Sequence, residues 1–363
     1  NLYSIARHLA EKGAKLDVLD NAGQTLLFPA TKSESADAVI WLVESGLDIN
    51  AKDAQQLTPL HIAARYGGQA PLDYLLEHGA IVDSRSIDGS TPLHLAAERG
   101  HIVNVRQLAN KGADIFARDN EGKCPLHRAM KYGQWGPSQF FILKNVPVNL
   151  RDNNGNNPLH LAAMGGYQRV AKLLISHGAD FIALNNDGKT PLNLAAEMVS
   201  KMEALPEIPA NDFAAYIGLR NTHLFLRGVA IEEYVNAVRR NDTVFLERLI
   251  QAFPEYINAY VRGKSPLFRA VELGYSEVLA SLLTHGANPD CPALIEKNPY
   301  PLHIVAKTGD EASTRLLLEA GADTSVVNAL GETPLDLANR YARTSIGILL
   351  QSKRADPKAT EGN

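Results

Sequence analysis

Apolar residues recur three and four positions apart in short runs, most of them opened by a proline and closed by a glycine. In Gly89–Asp114, GSTPLHLAAERGHIVNVRQLANKGAD, residues Leu93, Ala96 and Ala97 form one apolar stripe, the spacing that brings side chains to one face of an α-helix. Thr91 is a good N-cap ahead of Pro92, whose missing N–H has no partner in a first turn anyway. Gly100 can take the left-handed conformation that ends a helix. Val105, Leu108 and Ala109 repeat the stripe in a second short helix, which Gly112 stops. The pattern predicts a helical hairpin with more apolar surface than it can bury alone, so neighbours must cover it.

The chain supplies those neighbours. With His94 as the reference position, the motif recurs at Thr25–Phe28, Thr58–His61, Cys124–His127, Asn157–His160 and Thr190–Asn193. The reference residues Phe28, His61, His94, His127, His160 and Asn193 are each 33 residues apart. The motif returns at Ser265–Phe268, Tyr300–His303 and Thr333–Asp336. A 33-residue unit carrying T-P-L-H-x-A-A, a mid-unit glycine and a closing G-A-D resembles the ankyrin repeat, and the resemblance covers nearly the whole chain. It implies an all-α repeat solenoid, in which stacked helix-turn-helix units with projecting β-hairpin turns cover one another's apolar faces. The turns are marked by Asp20–Gly23, Asp53–Gln56, Ser86–Gly89, Asp119–Gly122, Asp152–Gly155 and Asn185–Gly188. Gln56 replaces the usual glycine, so its tip is expected to be distorted.

Repetition then fails once. After Leu192–Ala196 there is no mid-unit glycine, and Met198, Met202, Pro206 and Pro209 follow. The pattern resumes at Ala237–Asp242, which puts the reference position at Val235, 42 residues beyond Asn193. The expected organisation is a first repeat block over 1–198, a non-repeat insertion over 199–231 made of a loop and an extra helix, a second block over 232–351 and a polar tail over 352–363. The insertion carries Phe213, Tyr216, Leu219, Leu224 and Phe225, apolar enough to bury. It is expected to pack between the blocks, or else to act as a plug or docking helix. A spacing of 35 residues from Phe268 to His303 adds two residues around Cys291–Asn298. The chain opens without Met, inside a second helix over Ile5–Lys12, and is expected to be a piece of a longer protein.

Charge and composition narrow the partner. A net charge of −4, with no basic run longer than Arg239–Arg240, gives no clustered cationic face for nucleic acid. No stretch of 18 apolar residues occurs, so no membrane insertion is expected. Two cysteines, Cys124 and Cys291, fit a reducing compartment. The cytoplasm is the expected location, or a host cytoplasm if the chain comes from a secreted bacterial effector.

Five histidines hold the reference position: His61, His94, His127, His160 and His303. Equivalent residues on stacked helices lie roughly 8–10 Å apart, too far to share a zinc ion whose ligands sit at about 2 Å. The family resemblance implies that they tie neighbouring units together by hydrogen bonds, with no metal. Cys124 and His127 could suggest a thiolate–imidazole pair, but they occupy the threonine and histidine slots of the repeat. No glycine-rich phosphate loop or H-E-x-x-H occurs. No catalytic residue and no cofactor are expected.

The two residues after each A-A pair are expected on the concave side of the stack, where structural demand is low. They read Lys32-Ser33, Arg65-Tyr66, Glu98-Arg99, Lys131-Tyr132 and Met164-Gly165, then Arg239-Arg240, Glu272-Leu273 and Lys307-Thr308. Tyr66, Arg99 and Tyr132 are of the types enriched at interface hot spots, and Trp135 is expected to extend their patch. With the tips Gln55, Asp88, Glu121 and Asn154 they make the candidate protein-binding site. Trp41, Tyr74 and Phe140 share a column on the second helices and are expected in the core. Leu42–Asn50 resembles the pattern accepted by ankyrin asparaginyl hydroxylases, which implies β-hydroxylation of Asn50. The expected function is that of a non-enzymatic, monomeric scaffold binding a protein or peptide. The alternative is a substrate-recruiting region of a larger enzyme or bacterial effector whose catalytic domain lies elsewhere.

Overall fold

The protein is seen here in a computed structural model that describes residues 2–294 and 299–354. The chain divides into two compact units, Asn1–Phe225 and Leu226–Asn363. Each is built from paired short helices, and the described residues contain no strand beyond an isolated bridge between Val261 and Lys264.

In the first unit the pairs are Leu27–Lys32 with Ala36–Glu44, Pro59–Tyr66 with Gln69–Glu77, Pro92–Arg99 with Ile102–Asn110, Pro125–Lys131 with Trp135–Leu143, and Pro158–Met164 with Gln168–Ser176. Leu60, Leu93, Leu126 and Leu159 occupy one register position and are fully buried, each worth about 1.5–3 kcal/mol of apolar burial. In the second unit, Pro266–Leu273 with Ser276–Thr284, Pro301–Thr308 with Glu311–Glu319, and Pro334–Arg340 with Thr344–Arg354 repeat the scheme.

The reference histidines are the fasteners. His61 Nδ1 accepts the Thr58 N–H at 3.1 Å, and Nε2 donates to the Ser90 carbonyl of the next unit at 3.0 Å. A backbone N–H can only donate and a carbonyl can only accept, so the partners fix the neutral Nε2–H tautomer. His94, His160 and His303 reach the carbonyls of Lys123, Lys189 and Glu332 in the same way. His127 takes that of Leu150. Both ring nitrogens are thus engaged, and neither is left to bind a metal. Cys124 fills a cap position, its Sγ 3.0 Å from His127 Nδ1, and burial raises its pKa. The thiol stays protonated, which is the wrong state for a nucleophile.

The projecting segments expected as β-hairpins are tight turns. Asp53, Ser86, Asp119, Asp152 and Asn185 each close one, their N–H donating to the carbonyl four residues on. The tip at Gln56 keeps this bond, because Gln56 itself adopts the left-handed conformation at φ 59°. The expected distortion is absent; a side chain is held where glycine would sit without strain, at a cost of about 1–2 kcal/mol.

Trp41, Tyr74 and Phe140 are half-buried and not in the core. The following residues, Leu42, Leu75 and Phe141, fill that space. Tyr74 instead stacks on His78 at 3.9 Å. A 33-residue column fixes which residues are equivalent, and here the inward direction belongs to its neighbour.

Beyond the fifth pair, the helix Pro191–Glu203 overruns its usual length, and a single helix, Phe213–Arg239, follows. The chain therefore passes from insertion to repeat without a break in the helix. Within the first unit, the start of this helix takes the place of a missing second helix. It lies so close to Gly166 that a Cβ there would stand 2.6 Å from the Leu219 nitrogen. Gln168 Nε2 donates to the Asn221 carbonyl at 3.2 Å, and the Lys172 amine lies over the Phe225 ring. Leu219 is buried, whereas Phe213 and Leu224 remain exposed. The two residues added around Cys291–Asn298 lie partly outside the described residues; the expected tail over 352–363 begins inside the helix Thr344–Arg354, and 355–363 lie outside the described residues.

Candidate protein-binding surface

The column that follows each A-A pair ends the first helix of a unit. Tyr66 and Tyr132 are exposed, as are Arg99, Lys131 and Met164, and Arg65 is half-exposed. The Lys32 amine lies 5.2 Å from the Tyr66 ring centre, and that of Lys131 lies 5.5 Å from Tyr132. Each cation lies over an aromatic face, a contact worth about 0.5–1 kcal/mol at an exposed site.

Glu98 departs from this column: it is buried, with its carboxylate 3.1 Å from Arg128 Nη1. Arg128 also reaches Asp119 at 2.7 Å, Asp88 at 3.3 Å and the Ser90 hydroxyl at 3.1 Å. Trp135 departs as well. It opens the second helix Trp135–Leu143, half-buried, with the Arg169 guanidinium 4.0 Å from its ring centre.

The tips are joined to one another. The carbonyls of Gln55, Asp88, Glu121 and Asn154 accept the N–H groups of Ile87, Asn120, Asn153 and Asn186 in the next unit. Asp88 is exposed, with its carboxylate bonded to Ser86 and Ser90 and paired with Arg128. Burial alone would raise its pKa, but hydrogen bonds from Ser86 and Ser90 and the Arg128 charge hold it at about 2. Glu121 pairs with Lys123. The Gln55 and Asn154 side chains are exposed.

Three features were not picked out from the sequence. Arg85 and Arg118 donate to the carbonyls of Arg118 and Arg151 at 2.6 and 2.8 Å, and Arg151 donates to that of Leu184. Asn120, Asn153 and Asn186 donate to the carbonyls of Ile87, Asn120 and Asn153. The third is the Arg128 cluster. The two ladders were detectable, since each repeats one residue type at the 33-residue period.

Asn50 belongs to a similar device at the base of the turns. Its Oδ1 accepts the Ile81 N–H at 2.8 Å and its Nδ2 donates to the Gly79 carbonyl at 3.2 Å. Asn149 does the same with Asp180 and Gly178.

A family model described as ankyrin repeats in three copies matches residues 1–86, 60–136 and 138–205, and a single ankyrin-repeat model matches 262–293 and 300–329. Cyclin-dependent kinase 4 inhibitor B of Rattus norvegicus is 30% identical over 124 residues, 33% of this chain and 91% of that protein. Cyclin-dependent kinase inhibitor 2A of Homo sapiens is 34% identical over 121 residues, 31% of this chain and 74% of that protein. Diacylglycerol kinase zeta of Rattus norvegicus is 28% identical over 123 residues, 34% of this chain but only 13% of the kinase. Among the described residues no helix is long and apolar enough to cross a membrane.

Proposed function

The chain belongs to the ankyrin-repeat family, and on that premise we propose that it is a non-enzymatic scaffold that grips a protein or peptide through the exposed column of its first unit. Arg65, Tyr66, Arg99, Lys131 and Tyr132 supply the anchors, with the Gln55 and Asn154 side chains at the tips. One observation carries this reading. Two tyrosines stay exposed at equivalent positions, each with a lysine over one face, on helices whose other faces are packed. Glu98 and Asp88 act indirectly, by holding Arg128. The relatives named as inhibitors of a cyclin-dependent kinase act, by those names, on a protein, and a protein target is what the reading takes from them.

Affinity capture with the full chain, followed by titration of the captured protein, tests the placement. Tyr66→Ala with Tyr132→Ala should weaken binding at least tenfold while leaving the melting temperature within a few degrees. Unchanged affinity would remove these residues from the site.

Asn50 enters the proposal as a modification site through its local pattern. Exposure to an ankyrin asparaginyl hydroxylase should add the mass of one oxygen to the peptide containing Asn50, and an unmodified peptide dismisses the idea. Both ends of its amide are bound, so the enzyme must act on a locally opened turn.

A second reading, recruitment of substrate for a catalytic domain elsewhere in a longer protein, has one observation in its favour. The similar stretch of diacylglycerol kinase zeta is a small part of an enzyme.

A further inference from the structure

Arginine stands directly after the reference position in both units, as Arg128 after His127 and as Arg269 after Phe268. The shared period makes their surroundings comparable residue by residue. In the first unit Arg128 is satisfied by carboxylates of its own chain, those of Asp119, Glu98 and Asp88. In the second unit the register positions of Asp119, Glu98 and Asp88 hold Tyr260, Arg239 and Val229, and that of the tip residue Glu121 holds Arg262. The three acids around Arg128 are replaced by two neutral groups and a cation, and the tip adds a second cation.

Arg269 shows the consequence. Its Nη2 donates to the Val261 carbonyl at 2.9 Å, while its Nε is buried without a hydrogen-bond partner among the described residues. Nearby acids are committed elsewhere: Lys264 takes both oxygens of Glu272 at 2.6 and 2.8 Å, and Arg240 lies 3.6 Å from Glu233. Glu232 is the other carboxylate whose field reaches Arg269. Neither Arg239 nor Arg262 forms an ion pair among the described residues. Arg262 sits at φ 51° in the turn closed by Val261 and Lys264, which exposes it at the tip. Burial, then the charge of Arg239, lowers the Arg269 pKa, with Arg262 acting in the same direction. Three guanidinium groups, with those of Arg239 and Arg262 exposed and unpaired among the described residues, leave an excess of positive charge that Glu232 alone does not balance.

We propose that Arg239, Arg262 and Arg269 form a second binding site, for the carboxylates of an acidic segment of a protein partner. The ligand class follows from the first unit, where the same arginine position is satisfied by aspartate and glutamate. A guanidinium offers a carboxylate two parallel N–H donors, a fit that lysine cannot reproduce. The site lies in the second unit and does not depend on the tyrosine column of the first.

The test is titration of the full chain with a fluorescein-labelled octaglutamate peptide, read by fluorescence anisotropy at low salt, with circular dichroism as the check on folding. Saturable binding is expected, weakened at least tenfold by Arg262→Gln, which changes only an exposed tip, and by Arg239→Gln. Arg239→Glu recreates the Glu98–Arg128 pairing inside the second unit. It should abolish peptide binding and raise the melting temperature. Unchanged affinity in folded Arg239→Glu overturns the proposal. An equal loss in Arg65→Gln also overturns it, by placing the peptide on the first unit. Displacement of the peptide by inorganic phosphate, where acetate at the same ionic strength has no effect, overturns the carboxylate assignment.

Discussion

Between pH 7.5 and pH 5 the chain should lose about 6 kcal/mol of stability through three side chains. Burial lowers the pKa of His61, His94 and His127 from 6.5 to about 4. Below pH 6.5 the unfolded chain takes up protons that the folded chain refuses, so stability falls with pH. The contribution is fully present above about 6.5 and is lost progressively toward 4. At pH 5 each histidine accounts for about 2 kcal/mol. The structural cause is specific: a proton on Nδ1 would face the backbone N–H of Thr58, Thr91 or Cys124, a donor against a donor. His160 and His303 are shifted in the same direction, also by burial. Thermal melts by circular dichroism should drop by roughly 10 °C or more over this range. The chain supplies its own control, because Asn193 occupies the same slot and accepts the Thr190 N–H at 3.0 Å without titrating. Replacing the three histidines by asparagine should flatten the pH dependence. A melting temperature that stays level from pH 7.5 to 5 in the unaltered chain would refute the account.

The repeat, its helices and its histidine fasteners were legible because each rests on a local rule repeated at fixed spacing. A proline at the first helical position, a cap before it and a glycine after it need no tertiary information. What resisted reading depends on direction. Glu98 and Arg99 are neighbours in one expected surface pair, yet Glu98 turns inward because Arg128 of the next unit lies there to meet it. Trp135 and Tyr132 are three residues apart, but a turn between them puts Trp135 on another helix, under Arg169. The long helix Phe213–Arg239 was legible as the extra helix of the insertion, but its unbroken run into the repeat was not. Half of it answers to the packing of an insertion and half to the repeat, and no single periodicity spans both. Gln56 shows the opposite error. Its missing glycine suggested a distorted turn, whereas the bonds around it were enough to hold a side chain in left-handed backbone.

Arg128→Ala should cost about 3–5 kcal/mol, the usual penalty for removing one partner of a buried ion pair. The Asp119 side chain is 0% exposed, Glu98 9% and Arg128 11%, so water cannot replace the lost guanidinium; Asp88, at 55%, can be resolvated. Asp119 keeps two backbone bonds, from the N–H groups of Glu121 and Lys123 at 2.9 Å, which hold its carboxylate in place. The effect then concentrates on coupling between units. Arg128 and Asp119 belong to one repeat and Asp88, Ser90 and Glu98 to the one before it, so the side chain spans a seam. In a stack whose stability is a sum of units and interfaces, weakening one interface lets the two sides unfold separately. Chemical denaturation of Arg128→Ala should show a broadened transition or two steps, together with faster amide exchange around residues 86–99. Glu98→Gln keeps an acceptor for Arg128 and should cost about 1 kcal/mol or less, since the guanidinium still has Asp119 and Asp88. A loss below about 1 kcal/mol, with a single sharp transition, would show that the cluster carries none of the coupling between these repeats.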